Sequence, residues 1–100
     1  MAGFDISGRM NIKRLKSDFK KQFGSTIRVY DGVKFARDDD TVGRIAKKSV
    51  ERGLSVNGRM LVSRFEKEIA DVYGIKIQVA SRDDSQLVAN DISLNESGKT

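Results

Sequence analysis

The chain contains one sequence module twice, and this internal repeat constrains the fold more than any other feature. Residues 4–30 return at 54–80 without a gap, and a Gly-Arg-Met triplet begins at Gly8 and again at Gly58. Most of the recurring positions are apolar or turn-forming. Because a fold needs those positions and an activity uses others, the repeat predicts architecture and says little about chemistry.

Beyond residue 30 the match continues with two extra residues in the second copy, where 31–33 faces 81–85. Turn-forming residues dominate both segments, and hairpin loops accept changes of length without disturbing the strands that they join. We therefore predict a β-turn at each segment.

Each copy is predicted to begin with a short strand that turns a corner into an amphipathic helix, in preference to a tight hairpin. The apolar stripes of the two helices are Ile12, Leu15, Phe19 and Phe23 in the first copy and Val62, Phe65, Ile69 and Tyr73 in the second. Asn11 is a predicted N-cap, while Ser63 and Glu66 spell a capping box. Gly24 and Gly74 stand where a helix C-terminus favours a left-handed residue.

After each of these glycines, alternating β-branched residues predict a strand. The side chains predicted to face the core are Ile27, Val29, Ile77 and Val79. The opposite sheet face carries Arg28, Tyr30, Lys76 and Gln78. Short strands are expected around Phe35 and Leu87, and both Phe4 and Phe35 are predicted to be core residues.

A further helix is predicted in the first copy alone, capped by Asp40 or Thr41 and stopped by Gly53. Its apolar side would be Val42, Ile45, Ala46 and Val50. The second copy is expected to end before it can build this helix, so that residues 95–100 form a flexible polar tail.

Together the patterns predict a single α+β domain over residues 1–100, with repeats at about 4–50 and 54–94. Two tandem βαββ units favour a two-layer arrangement with pseudo-twofold symmetry, ferredoxin-like in outline. The alternative is a β-grasp, because residues 27–42 resemble the hairpin and following turn of ubiquitin-like domains.

A second resemblance spans nearly the whole chain. The order of strand, Gly-Arg-Met, helix ending in Phe-Gly or Tyr-Gly, strand, and then Asp-Asp before Thr-Val is similar to that in a group of small bacterial proteins with duplicated modules. The resemblance implies a duplicated fold. It implies no activity, cofactor or site residue.

The composition excludes several kinds of chemistry. The chain has no cysteine and no histidine, so thiolate nucleophiles, disulfides, cysteine zinc sites and histidine-based triads are absent. No apolar run approaches membrane-spanning length, and the first residues lack the pattern of a secretory signal. We therefore predict a soluble, cytoplasmic, non-catalytic protein without cofactor or membrane partner, either a monomer or a weak homodimer.

Charge distinguishes the two copies. Residues 1–50 contain twelve Lys or Arg and six Asp or Glu, whereas residues 51–100 contain seven and eight, which gives formal charges of +6 and −1 within the total of +5. The basic residues of the first helix form an arc beside its apolar stripe: Lys13, Arg14, Lys16, Lys20 and Lys21. The next predicted helix adds Arg44, Lys47, Lys48 and Arg52. If both helices cover one sheet face, these cations would form a single patch for phosphates.

The acidic clusters at 38–40 and 83–84 have the hard oxygens that calcium and magnesium prefer. Their spacing does not match an EF-hand, and both lie where turns and helix caps favour aspartate, so we predict no metal site. Arg9 and Arg59 recur in both copies and are predicted to brace the strand-to-helix corners.

Two classes of function are consistent with these observations. The favoured class is a module that binds a polyanion, nucleic acid above all, through the basic first helix. The alternative is a protein-interaction adaptor that uses an exposed sheet edge or the sheet face with Arg28 and Tyr30.

Overall fold

The fold is α+β, as the sequence predicts, and the computed structural model describes residues 3–48 and 53–99 of the chain. In chain order its elements are β1 (Gly3–Ile6), α1 (Ile12–Phe23), β2 (Thr26–Asp31), β3 (Lys34–Phe35), α2 (Val42–Ile45), β4 (Leu54–Asn57), α3 (Val62–Tyr73), β5 (Lys76–Ala80) and α4 (Leu94–Ser97). None of the described helices is long and apolar enough to cross a membrane.

The strands form two separate antiparallel sheets. β1 pairs with β4, and the second sheet has the order β3-β2-β5. Helix α1 contacts β1 and β2, while α3 contacts β4 and β5. The two long helices therefore bury their apolar stripes against strands of both sheets, which leaves the opposite face of the three-stranded sheet open to solvent.

Each of the two long antiparallel pairings contains one pair of residues that occupy aligned positions of the sequence repeat. Arg28 faces Gln78 in the three-stranded sheet, and Asp5 faces Ser55 in the two-stranded sheet. In each case the partner lies fifty residues further along the chain, at the aligned position of the sequence repeat. One step to either side of the central pair, Ile27 faces Val79 and Val29 faces Ile77, so aligned residues exchange places across the ladder.

The core contains the apolar stripes of α1 and α3 and the inward positions of β2 and β5, as the sequence predicts. Phe19 is fully buried at its centre. Its ring lies 4.9 Å from that of Phe23 and 5.2 Å from that of Phe65, between ring centroids. Phe4 is half-buried and packs edge-on against Phe19. The two helices therefore share one core.

The ends of α1 agree with their sequence signals, whereas the start of α3 does not. The Asn11 side chain accepts the Arg14 N–H at 2.7 Å, and both Gly24 and Gly74 have positive φ at the helix C-termini. The predicted capping box at Ser63 is wrong, because α3 already begins at Val62 and its cap residue makes no side-chain hydrogen bond.

Backbone carbonyls hold the start of α3 at Val62, as they hold the start of α1 at Ile12. The Val62 N–H donates to the Ile92 carbonyl at 2.9 Å, and the Ser63 N–H donates to the Asn90 carbonyl at 3.0 Å. The first two N–H groups of α3 are therefore already paired, and Leu61, which stands where α1 has Asn11, has no side-chain acceptor that could form a cap. The Glu66 carboxylate instead accepts a hydrogen bond from the Val79 N–H.

The helix predicted after Thr41 is shorter than expected. Thr41 caps it through the Arg44 N–H, but α2 ends at Ile45 because Ala46 adopts an extended conformation. Gly53 is therefore not its stop. The predicted apolar position Val50 and the predicted cation Arg52 lie outside the described residues.

The expectation that the second copy lacks the equivalent helix is wrong. Ser93 caps α4 and forms a full capping box with Glu96, and Leu94 is fully buried. The Ser97 hydroxyl lies 2.7 Å from that of Ser25, and both side chains are buried. Of the residues predicted to form a flexible tail, 95–97 belong to α4, and the buried Ser97 lies beside the end of α1.

Candidate anion-binding groove and outer sheet face

An open groove, which we call the α1 groove, lies between the last two turns of α1 and the start of β2. It has a volume of about 470 Å³ and is lined by Lys16, Ser17, Lys20, Lys21 and Thr26. Helical spacing places the three lysines on one side of α1, because positions three to five apart project in similar directions. Ammonium groups and hydroxyl groups are the donors that bind phosphate oxygens.

Lys20 spans this groove towards the loop after β5. Its ammonium group donates to the Thr26 hydroxyl at 3.3 Å and to the Arg82 carbonyl. The Arg82 guanidinium extends over the end of α1, with Nη2 3.5 Å from the position that a Cβ on Gly24 would occupy. Arg82 therefore brings a fourth cation close to the groove.

Carboxylates neutralise half of the eight predicted anion-binding residues. The ion pairs are Arg14 with Asp18 at 3.5 Å, Lys16 with Asp38 at 3.1 Å, Arg44 with Asp40 at 3.3 Å and Lys47 with Asp31 at 3.5 Å. Within residues 3–48 and 53–99, no carboxylate lies within ion-pair distance of Lys13, Lys20, Lys21 or Lys48. Lys48 instead donates to the Asp71 carbonyl at 3.1 Å.

The predicted cations of α2 lie away from the α1 groove. Thr41, which caps α2, bridges to Asn11 before the first turn of α1. The Lys47 and Lys48 N–H groups then donate to the Tyr73 carbonyl at the end of α3. Lys20 and Lys21 lie in the last turn of α1, at the other end of that helix from the contact between Asn11 and Thr41.

The second copy has a corresponding groove between α3 and β5 with different chemistry. Its lining includes Glu66, Lys67, Ala70 and Lys76. The Glu66 carboxylate accepts the Val79 N–H at 3.1 Å. Burial raises the pKa of Glu66, and this effect exceeds the opposing one of the hydrogen bond. The α1 groove is thus lined by lysines without a carboxylate, whereas the lining of the groove between α3 and β5 includes Glu66.

The outer face of the three-stranded sheet carries the four predicted residues at its centre. The Tyr30 hydroxyl donates to Gln78 Oε1 at 2.8 Å, and Lys76 Nζ lies 5.3 Å from the centre of the Tyr30 ring. Arg28 pairs with Asp84 at 2.8 Å, and the hydrogen bond to Asp84 raises the pKa of Arg28. The sheet therefore brings these side chains together as expected.

Phe35 belongs to this outer face, so its prediction as a core residue is wrong. It is 62% exposed, because it pairs with Tyr30 across β2 and β3 and thus shares the outward direction of Tyr30. The two rings are stacked with their centroids 5.0 Å apart. At the tip of the same hairpin, Val33 is fully exposed.

The aspartate clusters serve turns and ion pairs. Asp83 accepts hydrogen bonds from the Ser81 hydroxyl at 2.9 Å and the Ser85 N–H at 3.1 Å, and contacts with Ser85 and Ser81 lower its pKa to about 2. Asp39 pairs with Arg37. Across the described part of the chain, no three acidic side chains are grouped in a way that could hold a metal ion.

Sequence reasoning missed Phe35 and Arg82 as site residues. Phe35 follows a predicted turn after Tyr30. A hairpin register that pairs the two residues would have placed Phe35 on the same sheet face as Tyr30. No sequence signal indicated Arg82, because its contact with Lys20 joins residues 62 positions apart.

Comparisons with protein-family models, curated proteins and solved structures found no match to this chain. The resemblance to duplicated bacterial modules accordingly stays a prediction, and the site is interpreted from its own chemistry.

Proposed function

We propose that this chain is a non-catalytic module that binds a polyanion, with nucleic acid as the favoured ligand, through the α1 groove. The observation that carries this proposal is the set of cations at the end of α1, where Lys20 and Lys21 have no carboxylate partner among the described residues. The formal charge of +5 supports it, since a basic protein attracts a polyanion over long range.

The groove narrows the set of residues that would meet phosphates. Lys20, Lys21 and Arg82 are the main candidates, because a cation already paired with a carboxylate gains less from a phosphate. Lys16 lines the groove but must exchange Asp38 for a phosphate oxygen. Arg14, Arg44 and Lys47 are also paired, and Lys13 and Lys48 lie outside the groove, so these five would contribute less.

We also propose that the chain is a tandem duplication with pseudo-twofold symmetry. The register supports this, since equivalent strands pair with each other and aligned residues face each other at Arg28–Gln78 and Asp5–Ser55. A ferredoxin-like outline is not part of the proposal, because the strands divide between two sheets. The duplication has a practical use, as the second copy supplies matched control positions for the first.

Salt dependence tests the proposed function. Replacement of both Lys20 and Lys21 by alanine removes two phosphate contacts, so the slope of log affinity against log salt should flatten by about 1.8 units for duplex DNA and about 1.4 for a single strand. Fluorescence anisotropy with labelled oligonucleotides at several salt concentrations measures this slope. The fold should be preserved, because both side chains are exposed.

The matched control is the double replacement of Arg64 and Lys67 by alanine on α3, which removes the same charge from the other copy and should leave the slope unchanged. Lysines that merely offset the helix dipole would stabilise the protein without any effect on the slope. The proposal fails if no nucleic acid binds at about 50 mM salt, or if the Lys20 and Lys21 replacements leave the slope as it was.

The exposed apolar side chains favour a protein-interaction adaptor as the second candidate. Val33 and Phe35 lie on one hairpin, and hairpin edges with apolar side chains are common sites of protein contact. Under this candidate, alanine at Arg28 and Tyr30 would abolish binding to a protein partner, whereas charge reversal at Lys16 and Lys20 would not. The opposite result would assign the contact surface to the α1 groove.

A further inference from the structure

The stacked Tyr30 and Phe35 rings form an aromatic platform on the outer sheet face. Tyr30 is fixed from several sides, by Phe35 on the neighbouring strand, by its hydroxyl bond to Gln78 and by the Lys76 ammonium. Phe35 rests on this immobilised ring while most of its own surface faces water. The exposed aromatic surface of the platform therefore belongs to Phe35 and is held in one orientation.

The equivalent position in the second copy lacks any aromatic surface. Ala80 occupies the place of Tyr30, and Leu87, which bridges to Ala80, occupies that of Phe35. A solvent-exposed aromatic ring forfeits the free energy that its burial would provide. The second copy forms this part of the fold with Ala80 and Leu87. The core therefore does not require aromatic residues at the equivalent positions of the first copy, Tyr30 and Phe35.

The platform and the α1 groove lie at the two ends of one strand. Thr26, which lines the groove and contacts Lys20, points to the same sheet face as Tyr30, because the two residues are four positions apart on β2. Four residues of strand span about 13 Å. Arg28, which pairs with Asp84, lies between them, and a ligand that extends along β2 would pass from the groove cations to the aromatic rings.

We propose that the ligand is single-stranded nucleic acid, with an unpaired base stacked on Phe35 while phosphates are held at the α1 groove. This inference rests on the proposed function and specifies its ligand. Only unpaired bases can offer a face to an aromatic side chain, whereas the bases of a duplex are stacked on each other. A cation beside the rings suits the phosphates that accompany every base, and Lys76 meets this requirement.

The test compares Phe35→Ala with the wild-type chain on a single-stranded oligonucleotide and on a duplex of the same length. Loss of one stacked base should weaken single-strand affinity by about 5- to 150-fold. Duplex affinity should stay within about twofold. Since no charge is removed, the salt slope for the single strand should not change. Phe35→Trp should retain binding, because tryptophan also provides a stacking face.

Leu87→Ala is the matched control, since it shortens an exposed apolar side chain at the aligned position, and its single-strand affinity should remain within about twofold of wild type. Far-UV circular dichroism confirms that each variant is folded. Single-strand binding that Phe35→Ala leaves unchanged would overturn the inference but not the proposed function. An equal loss on duplex would also overturn it. If neither nucleic acid binds at about 50 mM salt, both proposals fail. If Phe35→Ala then abolished binding to a purified protein partner, the adaptor function would be supported.

Discussion

Replacement of Phe19 by alanine is expected to lower the free energy of unfolding by about 3–5 kcal/mol. Phe19 is fully buried at the junction of the two helices, in contact with the rings of Phe4, Phe23 and Phe65. Alanine would leave a cavity that neither helix can close without moving the other. Denaturant unfolding with an unchanged m-value measures the loss directly.

Two further variants compare this loss of stability with that at another buried position and at an exposed position. Ile69→Ala, at the aligned position of α3, should cost about 2–5 kcal/mol, because Ile69 is also buried. Phe35→Ala removes the same ring from an exposed position and should change stability by no more than about 0.5 kcal/mol. A loss below about 1 kcal/mol for Phe19→Ala would show that the two helices do not share this core.

Leu94→Ala is expected to destabilise the protein by about 2–5 kcal/mol, although Leu94 lies six positions before Thr100. Leu94 is fully buried and begins α4. Its N–H donates to the Met60 carbonyl at 2.9 Å, which ties α4 to the corner before α3. The same unfolding measurement applies, with Val42→Ala at the equivalent position of α2 as a comparison that should also be destabilising.

Lys99→Ala is the negative control for this prediction, because Lys99 is exposed and its replacement should be nearly neutral. If Leu94→Ala were equally neutral, the segment from residue 94 onward would be the flexible tail that its polar composition suggests, and the packed α4 would be incorrect.

The parts of the fold that could be predicted are those that depend on local periodicity. The stripes of α1 and α3 repeat over three turns, so the buried positions of Phe19 and Ile69 follow from spacing alone. The left-handed glycines Gly24 and Gly74 and the cap at Asn11 are equally local. None of these features depends on which strand lies beside which.

The errors arise where a distant segment decides the outcome. Ser63 and Glu66 have the spacing of a capping box, but carbonyls from residues 90 and 92 already satisfy the first turn of α3. The same Ser-x-x-Glu spacing at Ser93 does form a box. A single turn of helix has too little periodicity to be recognised, so α4 could be found only through its cap.

In the candidate site, too, the features that depend on local spacing were predicted, and those that depend on a distant segment were not. Helical geometry places Lys16, Lys20 and Lys21 together, and the structure agrees. The ion pair between Lys16 and Asp38 joins residues 22 positions apart, so a helical wheel could not show that this cation is neutralised. The outward position of Phe35 likewise depends on the register between β2 and β3.

The symmetric strand register has a consequence for assembly. If the first half paired with another copy of itself in the same way, Arg28 would lie opposite Arg28 and Asp5 opposite Asp5, and like charges directly across a ladder are destabilising. Within one chain, Arg28 instead faces the uncharged Gln78, and Asp5 accepts the Ser55 hydroxyl at 2.8 Å. The charged member of each central pair comes from the first half and the neutral member from the second, so the two halves are complementary. This arrangement disfavours the pairing of two first halves and directs each first half to a second half.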